Sequence, residues 1–250
     1  MPRKARQISS TGMYHVVMKG VNHEAIFERD WQKKVILDVL GMKLDEHEVE
    51  LYCYCVMSTH LHVLLQGEIK DISKCIREVG SAYAVGYNHG MKRNGHLFQG
   101  RFYSGVIETE NSFWNCVNYI HNNPVKAGMV ADLSKYKFSS YNEFSKENAK
   151  HITDNSIKMM KAHFSNLQEF RAFSHKNEQE SWFYGTEDEI AQQKNELIVR
   201  ELHKHIDSSK LFTVKRDILK SDYIDVIAEK LNVSKNLVIK HMMEEFLTQY

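Results

Sequence analysis

Three groups of residues in this chain have types and spacing that could do chemistry. His60-Leu61-His62 places two imidazoles at i and i+2. On a strand such residues point to one face, so both could bind one metal ion while Leu61 turns the opposite way into a core. The alternation Leu61, Val63, Leu65 fits that burial. The alternative is a pair of surface strand histidines, and with 14 histidines in 250 residues about one His-x-His is expected by composition alone. Context separates the two copies that occur. His203-Lys204-His205 sits in a segment of helical periodicity, where residues two apart diverge by about 200° around the axis and chelate poorly. The second group is Tyr119 and Asn123. They are i and i+4 on a helical stretch whose buried stripe is Phe113, Trp114, Cys116, Val117 and Ile120, so they share another face. An amphipathic tyrosine with a C-terminal Asn cap explains them without function, and a chemical role requires a metal nearby. The third group is Cys53 and Cys55, on one strand face, which with His60 and His62 could make a tetrahedral zinc site. The register across the intervening turn is open, and a buried strand cysteine is usually just a small hydrophobe.

The elements that must position these groups are legible in the first part of the chain. Met13 to Lys19 reads as a strand from its β-branched and aromatic content. Asp30 reads as a helix N-cap, and Val35, Ile36, Val39 and Leu40 recur at helical spacing up to about Asp45. Glu50 to Met57 and His60 to Gln66 read as two strands joined at Ser58-Thr59. A helix from Asp71 to about Asn88, a Gly-rich link from Gly90 to Gly100 and a strand from Arg101 to Glu108 follow. The order is β-α-β-β-α-β, which predicts an α+β, ferredoxin-like antiparallel sheet with helices over one face and the other left free. A third helix, about Ser112 to Asn122, stops at Pro124. Beyond about Asn148 helix signals dominate, with Phe170 to Gly185 read as a connection. The predicted division is therefore 1–148, then an all-α C-terminal domain at 149–250.

Three ordered blocks carry a family resemblance: Thr59-His60-Leu61-His62-Val63, Gly95 through Phe102, and Tyr119 through Val130. Together, over residues 8 to 145, they resemble the single-tyrosine HUH transposases, most closely the REP-associated tyrosine transposase branch. That family is ferredoxin-like, in agreement with the element order. The resemblance implies that His60 and His62 bind a divalent metal, that Asn123 is the third ligand where some relatives carry Gln, and that Tyr119 is the nucleophile. Imidazole and amide oxygen with open positions suit Mg²⁺ or Mn²⁺ better than a closed structural zinc site. The implied activity is a DNA transposase that cleaves and rejoins single-stranded or hairpin DNA through a 5′-phosphotyrosine intermediate. The rival from another class is a noncatalytic DNA-binding regulator with the same fold.

Bulk composition neither supplies nor excludes a DNA surface. Thirty-three Lys+Arg oppose 32 Asp+Glu, so any such surface is local. Splitting at residue 150 gives 19 basic against 16 acidic residues, then 14 against 16. The cations expected to meet DNA are Arg3, Lys4, Arg6, Lys92, Arg93, Arg101 and Lys126. Within Asp222 to His241, small Ala228, turn-forming Asn232, and Val233 and Val238 read as a helix-turn-helix, which would aim Lys235, Asn236 and Lys240 at a major groove. An ordinary helical hairpin is the alternative. Four cysteines form no disulfide framework, and no apolar run approaches the roughly 20 residues of a membrane span, so a reduced, cytoplasmic protein without membrane contact is expected. Whether it acts as a homodimer is left open.

Overall fold

The computed structural model describes residues 5–175, 190–191, 194–195, 197–199, 201–202 and 222–246. Arg3, Lys4 and the His203/His205 pair lie outside them. The first elements are β1 (Met13–Lys19), α1 (Asp30–Glu46), β2 (Glu50–Val56), β3 (His60–Gln66), α2 (Ile69–Gly90), β4 (Tyr103–Ile107) and α3 (Glu110–Lys126). The strands form one antiparallel sheet in the order β2-β3-β1-β4, the ferredoxin-like arrangement that the sequence predicts.

Alternation assigns the two faces of the sheet. Tyr14, Val16 and Met18 of β1 stand opposite Leu65, Val63 and Leu61 of β3, and all six are buried. This face packs under α1 and α2, where Gly80 of α2 lies so near Met18 that a Cβ there would come within 3.0 Å of the methionine methyl. The opposite face is not left free, as the element order suggested. α3 lies over β2 and β3, and His15 and His62 on this face are fully buried.

Local ends differ from the sequence reading for identifiable reasons. Asp30 is the first helical residue of α1, while the Arg29 N–H donates to Gln32 Oε1 at 2.8 Å. α3 is longer than expected at both ends. Thr109 caps it by accepting the Ser112 N–H at 3.1 Å, and the helix runs through Pro124 to Lys126. A proline in the last turn removes only one backbone bond, and the end is closed by the Gly128 N–H to Val125 O (3.0 Å) and the Met129 N–H to Pro124 O (2.9 Å). Gly128 takes φ +66°, a left-handed conformation that glycine adopts without strain.

The division of the chain lies later than 148/149. One compact unit spans Met1–Gly185 and the other Thr186–Tyr250. In the first, α4 (Tyr141–Lys146), α5 (Asp154–His163) and α6 (Leu167–His175) continue the same core, α5 against β2 and α6 against α3. α6 replaces the beginning of the connection expected from Phe170. Phe170 is fully buried, stacked on Tyr141 and Phe144. The segment before α4 laps the outer edge of β2, with the Val56 N–H donating to Phe138 O at 2.9 Å and the Ser140 N–H to Tyr54 O at 3.0 Å.

In the second unit the helices Asp222–Lys230 and Lys235–Phe246 pack together about buried Ala228 and Val238. Asn232 takes φ +49° between them, and the Val233 N–H closes back on Ala228 O at 3.0 Å. Lys235, Asn236 and Lys240 are exposed, and Lys235 pairs with Asp225 at 2.7 Å. Among the described residues no helix is long and apolar enough to cross a membrane.

Candidate active site

The α3 side of the sheet gathers histidines from two strands. His62 and Tyr103 both stand opposite Val17, and Lys19 stands opposite His60. The two-residue turn Ser58-Thr59 starts β3 at His60, closed by the Met57 N–H to His60 O at 2.8 Å. Gly20, just after β1, donates its N–H to Thr59 O at 2.9 Å and holds that turn in place. The loop before β4 reaches the same corner, where the Val21 N–H meets Leu97 O at 3.0 Å and the Gln99 N–H meets Lys19 O at 2.8 Å. The segments 59–63 and 95–102, distant in sequence, therefore converge at the end of β1.

α3 supplies the other wall. Its stripe Phe113, Trp114, Cys116, Val117 and Ile120 is buried, as the periodicity predicts, and this rotation turns Tyr119 toward the imidazoles. The Tyr119 ring meets His62 edge-on with centroids 5.6 Å apart and His15 at 5.8 Å. Tyr119 and Asn123 are half-buried. Asn123 Nδ2 donates to Tyr119 O at 2.9 Å, which commits the amide nitrogen and leaves the amide oxygen as the atom that could meet a cation. Lys126 Nζ stands 5.4 Å from the Tyr119 ring centre.

These donors fit a divalent cation. The His60 and His62 rings meet edge to face at 4.6 Å. His60 is held at Nδ1 by the Thr59 hydroxyl at 2.8 Å, and His62 at Nδ1 by His15 Nε2 at 3.0 Å. His62 Nε2 is buried without a hydrogen-bond partner, a polar atom that a bound cation would satisfy. Burial, then the charges of Lys19 and His23, pushes the His60 pKa down to about 4. Burial, then His60 and His15, holds that of His62 well below the usual histidine range. Both rings are thus neutral, the state in which imidazole ligates a metal.

Two other ligand clusters are set aside by their geometry. Cys53 and Cys55 do share a sheet face with His62, since Cys55 stands opposite it. Yet Cys53 Sγ lies 3.3 Å from His121 Nε2 and 3.4 Å from Ser140 Oγ, and Cys55 Sγ lies 3.7 Å from Met57 Sδ. Among the described residues, the one set of three His, Cys, Asp or Glu ligand atoms close enough to share an ion is Glu46, His47 and Glu78. There the Glu78 carboxylate already meets His47 Nε2 at 3.0 Å and Lys43 Nζ at 3.6 Å, in the α1/α2 layer away from Tyr119. The thiol–imidazole–hydroxyl contact of Cys53, His121 and Ser140 is wholly buried and packs α3 onto β2.

The expected DNA cations fall into two sets. Arg6 is committed to the protein: its guanidinium donates to Phe102 O at 3.1 and 3.2 Å and to Ser104 Oγ at 2.6 Å, and lies 3.6 Å from the centre of the Phe102 ring. Arg93 pairs with Glu24 at 2.8 Å and donates to His96 O at 3.0 Å. Lys92, Arg101 and Lys126 are exposed. Between α2 and the 95–102 loop lies a cavity of about 570 Å³ with Lys19, Arg77 and Arg101 at its rim and Phe98 and Phe102 in its wall. Arg77 was not among the expected contacts, because on the sequence it is one more cation on the polar side of a helix. His15 was missed as well. Its signal is a lone polar residue in the otherwise apolar run Tyr14 to Met18.

Comparison with known proteins bears on the fold that holds these residues. Residues 8–123 match the family described as IS200-like transposases. A solved structure of a REP-associated tyrosine transposase bound to a REP hairpin aligns with a TM-score of 0.50 at 20% identity, covering 61% of this chain and 91% of that one, and shows a shared fold. A crystal structure assigned to a transposase of Deinococcus radiodurans R1 aligns at 0.35 and 18% identity, over 48% of this chain and 97% of that one. No curated protein matches.

Proposed function

Residues 8–123 carry the IS200-like transposase match, and from that premise we propose that the chain is a DNA transposase that cuts and rejoins single-stranded, hairpin-bearing DNA through Tyr119. The observation that carries this reading is the packing of the Tyr119 ring against His62, beside His60 and one helical turn before Asn123. His60, His62 and Asn123 would hold Mg²⁺ or Mn²⁺. When bound, the ion supplies charge to a scissile phosphodiester whose own negative charge repels nucleophiles.

The chain's own residues account for the remainder. Tyr119 Oη loses its proton and bonds to phosphorus as the P–O3′ bond breaks, and the departing oxygen takes up a proton as a free 3′-hydroxyl. The 5′-phosphotyrosine retains the energy of the phosphodiester, so attack by a 3′-hydroxyl reverses the step and rejoins a strand without ATP. The Lys126 ammonium, 5.4 Å from the Tyr119 ring centre, would set a positive charge beside the phosphate under attack. The cavity edged by Lys19, Arg77 and Arg101, with Phe98 and Phe102, offers cations and stacking faces of the kind single strands use. The paired helices at 222–246 would add a second DNA contact through Asn236 and Lys240. Those helices also favour the rival reading of a noncatalytic DNA-binding regulator.

The test is incubation of wild type and Tyr119→Phe with labelled single-stranded hairpins from the DNA flanking the coding sequence, with Mn²⁺ or EDTA, on a denaturing gel. A covalent adduct that requires both Mn²⁺ and Tyr119 is expected. DNA retention without adduct across such hairpins would favour the regulator. An adduct formed by Tyr119→Phe would move the nucleophile to another residue.

A further inference from the structure

We propose that His15 is a positioning residue that holds His62 in the tautomer able to bind metal, by accepting the His62 Nδ1–H at its own Nε2. This deepens the reading of His62 as a ligand and rests on it.

Both rings are fully buried, and His15 Nε2 lies 3.0 Å from His62 Nδ1. The rings are near-parallel, with 16° between planes and centroids 5.2 Å apart. A hydrogen bond between two neutral imidazoles holds one proton, which leaves two arrangements. If His15 Nε2–H donates, the single proton of His62 must sit on Nε2, and that nitrogen has no lone pair for a cation. If His62 Nδ1–H donates, Nε2 carries its lone pair. The second arrangement puts the His15 proton on its own buried Nδ1, so the count of buried N–H groups is the same in both. The ion makes the difference, because a lone pair at His62 Nε2 is satisfied when it binds whereas an N–H there would exclude it.

The sheet explains why His15 can do this reliably. His15 stands opposite Leu64 and His62 opposite Val17, so the two are diagonal neighbours on paired central strands, and their backbones are fixed by the ladder. The His15 ring also meets Tyr119 edge-on, at 5.8 Å, and Tyr103, at 6.2 Å, which restrains it from both sides. Ligating histidines are commonly oriented through their second nitrogen by a carboxylate or carbonyl, and here another imidazole takes that place.

The experiment uses the full chain in three forms: wild type, His15→Phe, which keeps a ring but removes the acceptor, and His15→Gln, which returns an acceptor oxygen near the Nε2 position. Side-chain ¹⁵N spectra of the metal-free protein report the His62 tautomer, EPR of free Mn²⁺ reports metal affinity, and thermal melting reports folding. Wild type is expected to carry the His62 proton on Nδ1. His15→Phe should weaken Mn²⁺ binding by about 10–100-fold, and His15→Gln should recover most of it. A wild-type His62 protonated at Nε2, or a folded His15→Phe with unchanged Mn²⁺ affinity, overturns the proposal while leaving the metal site in place. Wild-type protein that binds no Mn²⁺ removes the metal reading, and the proposal with it. If His15→Phe does not fold, the wild-type tautomer and the His15→Gln affinity still decide.

Discussion

At the scale of single residues, the same side-chain type serves opposite ends according to what surrounds it. Arg6 and Lys92 are both cations in the expected DNA surface, but Arg6 is spent on Phe102 and Ser104 while Lys92 is exposed. Lys92→Glu is therefore expected to weaken single-strand binding and to lower the slope of log affinity against log salt by about 1. A filter-binding titration at several salt concentrations checks this, and an unchanged slope would remove Lys92 from the interface. Reversal at Arg93 is a poorer probe, because it also breaks the pair with Glu24. Glu143 is a buried acid with a structural task. Burial opposes its ionisation, yet the imidazole and N–H of His151, the N–H of Lys150 and the Tyr54 hydroxyl outweigh it and bring its pKa down from 4.5 to about 2. A depressed acid stabilises the fold above its unfolded value and stops doing so as pH falls through its folded one. About 3 kcal/mol should thus disappear between roughly pH 5 and pH 2. Urea melts of wild type and Glu143→Gln across that range should converge at low pH, and parallel curves would contradict the assignment.

At the scale of elements, the strands were the most legible. Met13–Lys19 has the bounds read from its β-branched and aromatic content, and His60–Gln66 those its alternation fits, because a side-chain period of two with one face in a core leaves little freedom of register. Helix ends were less legible. Pro124 read as a stop, but the loss of its one N–H is not enough to end the helix, which runs on to Lys126 and has its last carbonyls taken up by Gly128 and Met129. Gly128 matters there through its backbone, not through space, since nothing lies within 4 Å of where its Cβ would be. Gly128→Ala should cost about 1 kcal/mol of stability from φ +66° alone, measured by chemical denaturation. A neutral result would mean that the turn relaxes to another conformation. The residues proposed to bind metal were legible in pattern, because His60 and His62 are neighbours on one strand. His15 was not, because its partnership crosses from one strand to another and depends on pairing that no local window contains.

At the scale of the whole molecule, the extent of the first compact unit, to Gly185 where the sequence suggests a division after 148, has a physical origin. α5 and α6 are short, and what ties them to the first unit is aromatic packing distributed over residues 114–170: Phe164 beside Trp114, and Phe170 beside Phe144, His121 and Tyr141. A chain ending at Asn148 would expose that cluster, with each lost aromatic worth about 1.5–3 kcal/mol. It should melt well below one ending at Gly185, as calorimetry of the two truncations would reveal. Equal melting temperatures would restore the earlier boundary. The lap of Phe138 to Ser140 along β2 has a different kind of consequence. An outermost strand with idle amides is a template on which a stranger's chain can crystallise into fibre, and here the outward groups of Tyr54 and Val56 are already engaged. That margin of the sheet is closed to recruitment, so a concentrated solution of the protein loses one common route to gelation before any surface charge is considered.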